Sequence, residues 1–457
     1  MPRIFNQAAC NTCRVRKIKC DETLPICQRC SKASRYCDRT ATPPSLLVHP
    51  QPTNTEDIFP LPSNPRQALI NPTIARYFHN YITSIAPWYD LSDGSQHFAT
   101  LLPELALRSP LPFAAVIALA GIQISQTTAP SARAAAEYYH DQCVRLLLIK
   151  LKDDNAACGD GDSDCDGDGD GITLASICLL RSYEILSEET DPNRHLRGAY
   201  SLAVSRTPLL REGDLSGRGG LRGAGFWNYL REDITFSLFQ KCPLKMGLDQ
   251  VELFILRGDD ADGDHGYLNA VSLILGRIIN ECFGRETVAP DAWSFLFGLL
   301  RDWCSALPSR IAPFAREERG LGLALPAIWM LQDCHASACH YRLVCIAMLC
   351  IHAPTTEQIL DLDSLLDISQ RIGQSSPREA ILENCALEIC GIAFTANSPP
   401  VVVNCFGPIA FCGPFIRDEA AQQELVRRLM ACKRTIGWPV QRLVVDLQLA
   451  WGKTTRQ

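Results

Sequence analysis

Apolar residues recur at helical spacing through most of the chain. Tyr139, Cys143, Leu146 and Leu147 share one face of a segment that Ser131 could N-cap. Trp293, Leu296, Leu300 and Trp303 repeat the pattern behind Asp291, a second capping candidate. Leu425, Leu429 and Cys432 do so again before Gly437, a residue type suited to ending a helix. Strict alternation, the mark of a half-buried strand, is scarce. Val401 to Val403, just after Pro399 and Pro400, is the best short strand candidate. No internal repeat of solenoid length is visible. The pattern predicts a mainly α protein in which residues 73–457 form a large all-α helical body of about a dozen or more helices.

The periodicity is lost toward the amino terminus. Residues 41–72 contain eight prolines and no helical period, a density that forbids one continuous helix and reads as a proline-rich linker. Residues 1–40 form a third region, a head distinguished by six cysteines, Cys10, Cys13, Cys20, Cys27, Cys30 and Cys37.

Composition narrows the class. With 47% hydrophobic and 21% charged residues, the chain has the apolar surface to fold, which excludes bulk disorder and a collagen-like repeat. The longest uncharged apolar run, Leu111 to Ile124, has 14 residues, short of the ~18–20 that span a bilayer, so no membrane association is expected. The opening Met-Pro-Arg-Ile-Phe-Asn-Gln lacks the apolar core of a secretory signal. A reducing compartment is therefore expected, where clustered cysteines favour metal over disulfides. The net charge of −6 hides an asymmetry: nine Lys/Arg against three acids give residues 1–40 a net of +6, leaving −12 for the remainder.

The six cysteines are a duplication, C-x2-C-x6-C twice, with six residues between the copies. Each half offers three thiolates, whereas zinc prefers four ligands in a tetrahedron. Two Zn2+ need eight bonds, so two of the six sulfurs must bridge. The two-fold layout makes Cys10 and Cys27 the natural bridging pair. One ion then takes Cys10, Cys13, Cys20 and Cys27; the other takes Cys10, Cys27, Cys30 and Cys37. A head of 40 residues cannot build an apolar core, and structural zinc contributes ~10–16 kcal/mol in modules of this kind. Pro25, between Cys20 and Cys27, suits the turn joining the halves. Six thiolates and two zinc ions leave the folded head at about +4. Arg14, Arg16, Lys17 and Lys19 fill four of the six positions between Cys13 and Cys20, while Val15 and Ile18 can pack inward as an i,i+3 pair. The basic side chains are thereby turned out together toward phosphates and guanine edges. The blander alternative is a zinc knuckle or protein-binding zinc module whose basic face is incidental.

The run from Cys10 through the basic hexapeptide to Cys20-Asp21, then Leu24-Pro-Ile-Cys-Gln-Arg-Cys30 and Tyr36-Cys37, resembles the fungal binuclear zinc-cluster transcription factors. It fits their pattern at every cysteine, the basic run and the loop proline. The resemblance implies two structural zinc ions and a first short helix that enters the major groove of double-stranded DNA at a CGG triplet. It implies that Lys17, four residues after the second cysteine, reads bases. Arg14, Arg16 and Lys19 would mainly hold phosphates, with Lys32 and Arg35 doing the same on the other side.

The body is similar to the fungal-specific transcription factor domain that usually follows such a head. The resemblance rests on Arg76–Tyr81, Ile85–Asp90, Ser182–Leu186, His195–Ala199 and Phe226–Asp233, and extends over most of 73–457. It implies a regulatory domain that positions the head, receives signals or contacts partners, and no catalysis.

Two clusters test that implication. Asp166-Gly-Asp-Gly-Asp-Gly171 matches the first half of a calcium-binding EF-hand loop, but its twelfth position is Ile177 where a bidentate Glu is needed. Residues 153–171 therefore read as a flexible acidic Gly/Asp loop between two helices. Cys334, His335, Cys339 and His340 have a metal-site look, yet Cys345 and Cys350 continue along an apolar helix of the same style, which favours core packing. No hydrolase elbow, phosphate-cradling loop, H-E-x-x-H or dinucleotide fingerprint is visible, so no enzyme is expected. The expectation is a nuclear, sequence-specific regulator of transcription by RNA polymerase II that contacts the transcription machinery or a co-regulator. The prolines of 41–72 preclude a coiled coil there, so the chain is expected to be a monomer or a weak homodimer paired through the helical body. The rivals are a ligand-sensing scaffold whose head merely docks, and an enzyme built on the body.

Overall fold

The computed structural model describes residues 20, 21, 23, 27–33, 63–157, 167–187, 220–248, 263–320, 322–366 and 376–452. The chain divides into two units, Met1–Ile58 and Phe59–Gln457. In the first, the described residues form one short helix, α1 (Gln28–Lys32), which Cys27 N-caps.

The second unit is helical, with sixteen α-helices among its described residues. They begin with α2 (Pro65–Ala68) and α3 (Pro72–Asn80), which runs through a π turn, Tyr81–Ile85, into α4 (Ala86–Tyr89). Then come α5 (Leu101–Ala106), α6 (Pro110–Thr127), α7 (Arg133–Ala157), α8 (Gly167–Leu186) and α9 (Gly220–Gln240). After α10 (Asp264–Gly284) and α11 (Pro290–Ala306), strands β1 (Ala315–Glu317) and β2 (Ala327–Trp329) pair antiparallel, with Arg316 opposite Ile328. The chain closes with α12 (Asp333–Ile351), α13 (Thr356–Asp363), α14 (Pro377–Ala396), α15 (Pro399–Cys412), α16 (Glu419–Ile436) and α17 (Gln441–Ala450).

Two helices organise the core. Helix α6 is apolar on every side and packs against α3, α5, α7, α8 and α16. Helix α12 is buried from Cys334 to Tyr341 and from Leu343 to Cys350, and packs against α10, α14 and α15. Both are long and apolar enough to cross a membrane by length and composition, and both are mostly covered by neighbouring helices. The Leu111–Ile124 run is thus part of an 18-residue helix rather than a 14-residue element, because Pro110 opens it and Ser125 to Thr127 complete its last turn.

The amphipathic helices match the sequence pattern closely. The buried residues of α11 are Trp293, Leu296, Leu300 and Trp303. In α16, Leu425, Leu429 and Cys432 face inward, and Gly437 ends the helix at φ 86°, where a side chain would be strained. The capping assignments shift. Asp291 lies in the first turn of α11, with Pro290 at its head and Ala289 at the N-cap, so it faces the helix dipole instead of capping. Ser131 sits inside a 3-10 turn, Pro130–Ala132, that leads into α7.

Three further readings are corrected. Val401 to Val403 is helix, not strand: Pro399 and Pro400 occupy the first turn of α15, where a missing N–H costs nothing. The run looks strand-like because α15 is buried between α9, α12 and α14 and needs no polar face. Within 41–72, residues 65–68 are helical, Asn64 capping the turn that Pro65 opens; residues 41–62 lie outside the described ones. Within 153–171, the backbone is helical through 157 and again from 167, leaving 158–166 outside the described residues. Residues 167–177, the rest of the frame that starts at Asp166, lie in α8 and not in a calcium loop.

Candidate metal centre and the polar centre of the body

In the head, the described residues that are buried are Cys20, Cys27 and Cys30, at 6%, 0% and 2% exposure. Everything else described there faces solvent, so the interior of this segment is sulfur. The Cys27 Sγ accepts a hydrogen bond from the Cys30 N–H at 3.3 Å, which fixes the first turn of α1. The Cys27-x2-Cys30 spacing thus places one thiol at the N-cap and the other on the inner side of the same turn. An all-thiol donor set in a segment with no apolar core fits zinc. On the bridging assignment each ion draws two of its four sulfurs from the described residues, and no group of three or more metal-ligating side chains occurs among them. Cys10, Cys13 and Cys37 lie outside the described residues, as do Arg14, Arg16, Lys17, Lys19 and Arg35.

Lys32 is exposed on α1, and Arg29 stands exposed one turn before it. Arg29 is an exposed cation absent from the set of DNA-facing residues expected from the sequence; the i,i+3 spacing to Lys32 was the available signal. Asp21 is a second omission. Its carboxylate accepts from the N–H groups of Gln28 at 2.9 Å, Arg29 at 3.0 Å and Thr23 at 3.3 Å, and from the Thr23 hydroxyl. The Thr23 hydroxyl and these amides hold its carboxyl well below the usual carboxylate range. Asp21 thereby ties the end of the first cysteine triplet to the start of the second.

The Cys334/His335/Cys339/His340 cluster is core. All four side chains are buried on α12. The His335 Nε2 lies 2.8 Å from the Asp264 carboxylate, which also takes the Arg310 guanidinium at 2.7 Å. The Cys339 Sγ points to the Ile311 carbonyl. Burial pushes the Cys334 thiol up to about 12 and the His340 imidazole down to about 3, the direction of groups kept neutral by an apolar environment.

Of the body stretches, Phe226–Asp233 meets both Ile85–Asp90 and Ser182–Leu186. In Arg76–Tyr81, Tyr77, Phe78 and Tyr81 enter the core, and the Tyr81 hydroxyl donates to the Phe98 carbonyl. From Phe226–Asp233, the Asn228 Nδ2 donates to the Tyr89 carbonyl at 2.8 Å. The buried Arg231 guanidinium donates to that carbonyl, to Asn228 Oδ1 at 2.6 Å and to the Ser92 hydroxyl. Asp90 accepts from Phe98 N–H at 2.9 Å and Ala99 N–H at 2.8 Å. Asp233 accepts from Lys245 N–H and Met246 N–H, fastening the segment after α9. Arg181 on α8 approaches the Glu232 carboxylate at 3.6 Å. Burial raises Asp90 and Glu232 to about 7 each. Chemically this is a lock between α4, α8 and α9, in which side chains satisfy backbone groups that the chain's turns leave open. His195–Ala199 lies outside the described residues.

Residues 8–45 match the fungal Zn(2)-Cys(6) binuclear cluster domain, and residues 75–222 match the fungal specific transcription factor domain. The second match stops at residue 222, short of the Phe226–Asp233 stretch and of the helices after α9. An uncharacterized transcriptional regulatory protein of Schizosaccharomyces pombe is 29% identical over 126 residues, covering 23% of this chain and 22% of its own. The Zn(2)-C6 fungal-type transcription factor afumD of Aspergillus fumigatus is 26% identical over 128 residues, covering 26% of this chain and 33% of its own. The transcription activator AMTR1 of Alternaria alternata is 56% identical over 32 residues, covering 7% of this chain and 4% of its own. The alignments span a third or less of each of these relatives. No solved structure matches the chain.

Proposed function

We propose that the chain is a fungal zinc-cluster transcription factor that acts in the nucleus on genes transcribed by RNA polymerase II, reading CGG-type triplets in double-stranded DNA, a reading that the two family matches support. It is a zinc-binding, DNA-binding regulator of transcription. Two structural zinc ions would be held by Cys10, Cys13, Cys20, Cys27, Cys30 and Cys37, with Cys10 and Cys27 bridging. The metal supplies the rigid core that a segment of this length lacks. Lys17 would contact guanine edges, and Arg14, Arg16, Lys19, Lys32 and Arg35 would neutralise phosphates on either side. The helical body, 73–457, would act as the regulatory domain, and a second protein of the transcription machinery would be its partner. The chain would engage a single triplet or pair weakly through the body.

The observation that carries this reading is the head: six cysteines at matched spacing around a basic hexapeptide, within residues 8–45. The test compares binding of a CGG duplex and a scrambled duplex by the zinc-loaded chain and by its Lys17→Ala variant. The wild type is expected to prefer the CGG duplex, and Lys17→Ala to lose the preference by about 1–3 kcal/mol while keeping both zincs. Equal affinity of the wild type for both duplexes would overturn triplet reading. Failure to bind either would favour the scaffold reading, in which the head docks on protein.

A further inference from the structure

Half of the Arg76–Tyr81 stretch is not used by the core. Arg76 and His79 are exposed beside the buried Tyr77, Phe78 and Tyr81. With the end of α6 and the turn before α7, they line a groove of about 760 Å3, within the range of small-molecule sites. Thr73, Thr83, Thr128 and Ser131 bring four hydroxyls to it. No acidic residue lines it, although residues 41–457 carry a net charge of −12. Arg76 has no ion-pair partner among the described residues, which leaves a cation facing the groove on an otherwise acidic body.

The hydroxyls refine the chemistry. Thr83 donates its proton to the His79 carbonyl at 3.0 Å, and Thr128 donates to the Ile124 carbonyl at 3.5 Å. Each hydroxyl oxygen keeps acceptor capacity, that of Thr83 also lying 3.4 Å from the Ser84 hydroxyl. The groove offers a cation for an oxyanion and acceptors for hydroxyl donors.

We infer that this groove binds a small hydroxylated oxyanion, with its charge on Arg76 beside His79 and its hydroxyls on Thr83 and Thr128. Such chemistry belongs equally to a sugar phosphate and to a sugar acid. The inference does not depend on what the head reads.

Calorimetric titration of the zinc-loaded full chain with glucose 6-phosphate, glucuronate and neutral glucose tests it. Saturation by either anion with Kd near or below about 1 mM is expected, with none by glucose. The anion that binds tells phosphate from carboxylate. Arg76→Ala should weaken that binding at least about tenfold, and Thr128→Val should weaken it by a few-fold, since each removes one of the named contacts. Arg76 is exposed, so its variant keeps the core, and affinity for the CGG duplex should stay unchanged in it. Absence of saturation by both anions up to about 10 mM would overturn the inference. So would binding that survives Arg76→Ala, since it would then sit elsewhere, the basic head included.

Discussion

The amino-terminal head and the helical body reach an ordered interior with different materials. In the described part of the head every buried residue is a cysteine, and a single acid, Asp21, gathers the amides around them. In the body, the cysteines of α12, α14 and α15 are just as buried, yet they pack among Leu, Ile and Phe as small apolar side chains. On the proposed reading the same residue type is a ligand in one region and filler in the other. What separates the two is the surroundings: an apolar core raises a thiol's pKa and keeps it protonated, whereas a coreless segment leaves the thiols to metal. The head should therefore fail all at once, and the body by degrees.

The sharpest test of that contrast is chelation. Removing zinc is expected to unfold the head and abolish DNA binding, because structural zinc is worth ~10–16 kcal/mol in such modules. All seven tryptophans lie between Trp88 and Trp451, so tryptophan fluorescence reports the body alone. It should hardly change on chelation, while DNA binding followed by anisotropy disappears. A body that melts with the metal would mean that the two regions share one folding unit.

Legibility in the sequence followed the same division. The head's likeness to the binuclear cluster domain over residues 8–45 was readable because a metal demands donors at fixed intervals, and spacing survives in one dimension. Helices α11 and α16 were readable because one face is wet, which leaves the 3.6-residue period in the pattern. Helix α15 has no wet face, so periodicity carries no information there and Val401 to Val403 passed for a strand. The polar lock was invisible for another reason. Arg231 and Asn228 bond to the Tyr89 carbonyl and the Ser92 side chain, 139 or more residues away in sequence, and a backbone carbonyl leaves no side-chain signature at the far end.

A smaller effect, confined to the body, is expected from Arg231→Met. Met replaces the aliphatic bulk but leaves the Ser92 hydroxyl and Asn228 Oδ1 without the guanidinium donor, while the Tyr89 carbonyl keeps its bond from Asn228 Nδ2. Leaving buried acceptors unpaired costs ~1–3 kcal/mol each where no water enters, so a loss of ~3 kcal/mol in urea unfolding is expected. Arg427→Ala is the control, since its exposed pair with Glu424 should be worth under ~1 kcal/mol. Zinc content should stay at two equivalents in both variants. If Arg231→Met is no worse than the control, the lock is not what holds α9 to the turn after α4.

The most graded effect is pH. Burial raises Asp90 from the ordinary carboxylate range to about 7, against the opposing pull of the Phe98 and Ala99 amides; Asp93 pushes the same way as burial, and Arg231 opposes it. The folded body then keeps a proton that the unfolded chain releases. By linkage, this contribution is complete below about pH 4 and is lost as pH rises toward about 7. Glu232, also raised to about 7, adds a term of the same sign. Asp264 and Glu424 behave oppositely, their carboxyls being held low by arginine partners, and their contributions vanish only as pH falls below the ordinary carboxylate range. His340, held down to about 3 by burial, contributes with the opposite sign as pH rises toward the ordinary histidine range, so between about pH 5 and 7.5 the reading is the difference in urea midpoint between wild type and Asp90→Asn, followed by tryptophan fluorescence. Wild type should lose stability across that interval relative to Asp90→Asn, which carries no charge at any pH and leaves the shares of Glu232 and His340 unchanged. The variant should also be less stable than wild type at the acid end, because its amide offers the Phe98 and Ala99 N–H groups one acceptor oxygen in place of two. A slope identical in the two proteins would show that Asp90 is ionised in the fold at neutral pH, and that its two amides outweigh its burial.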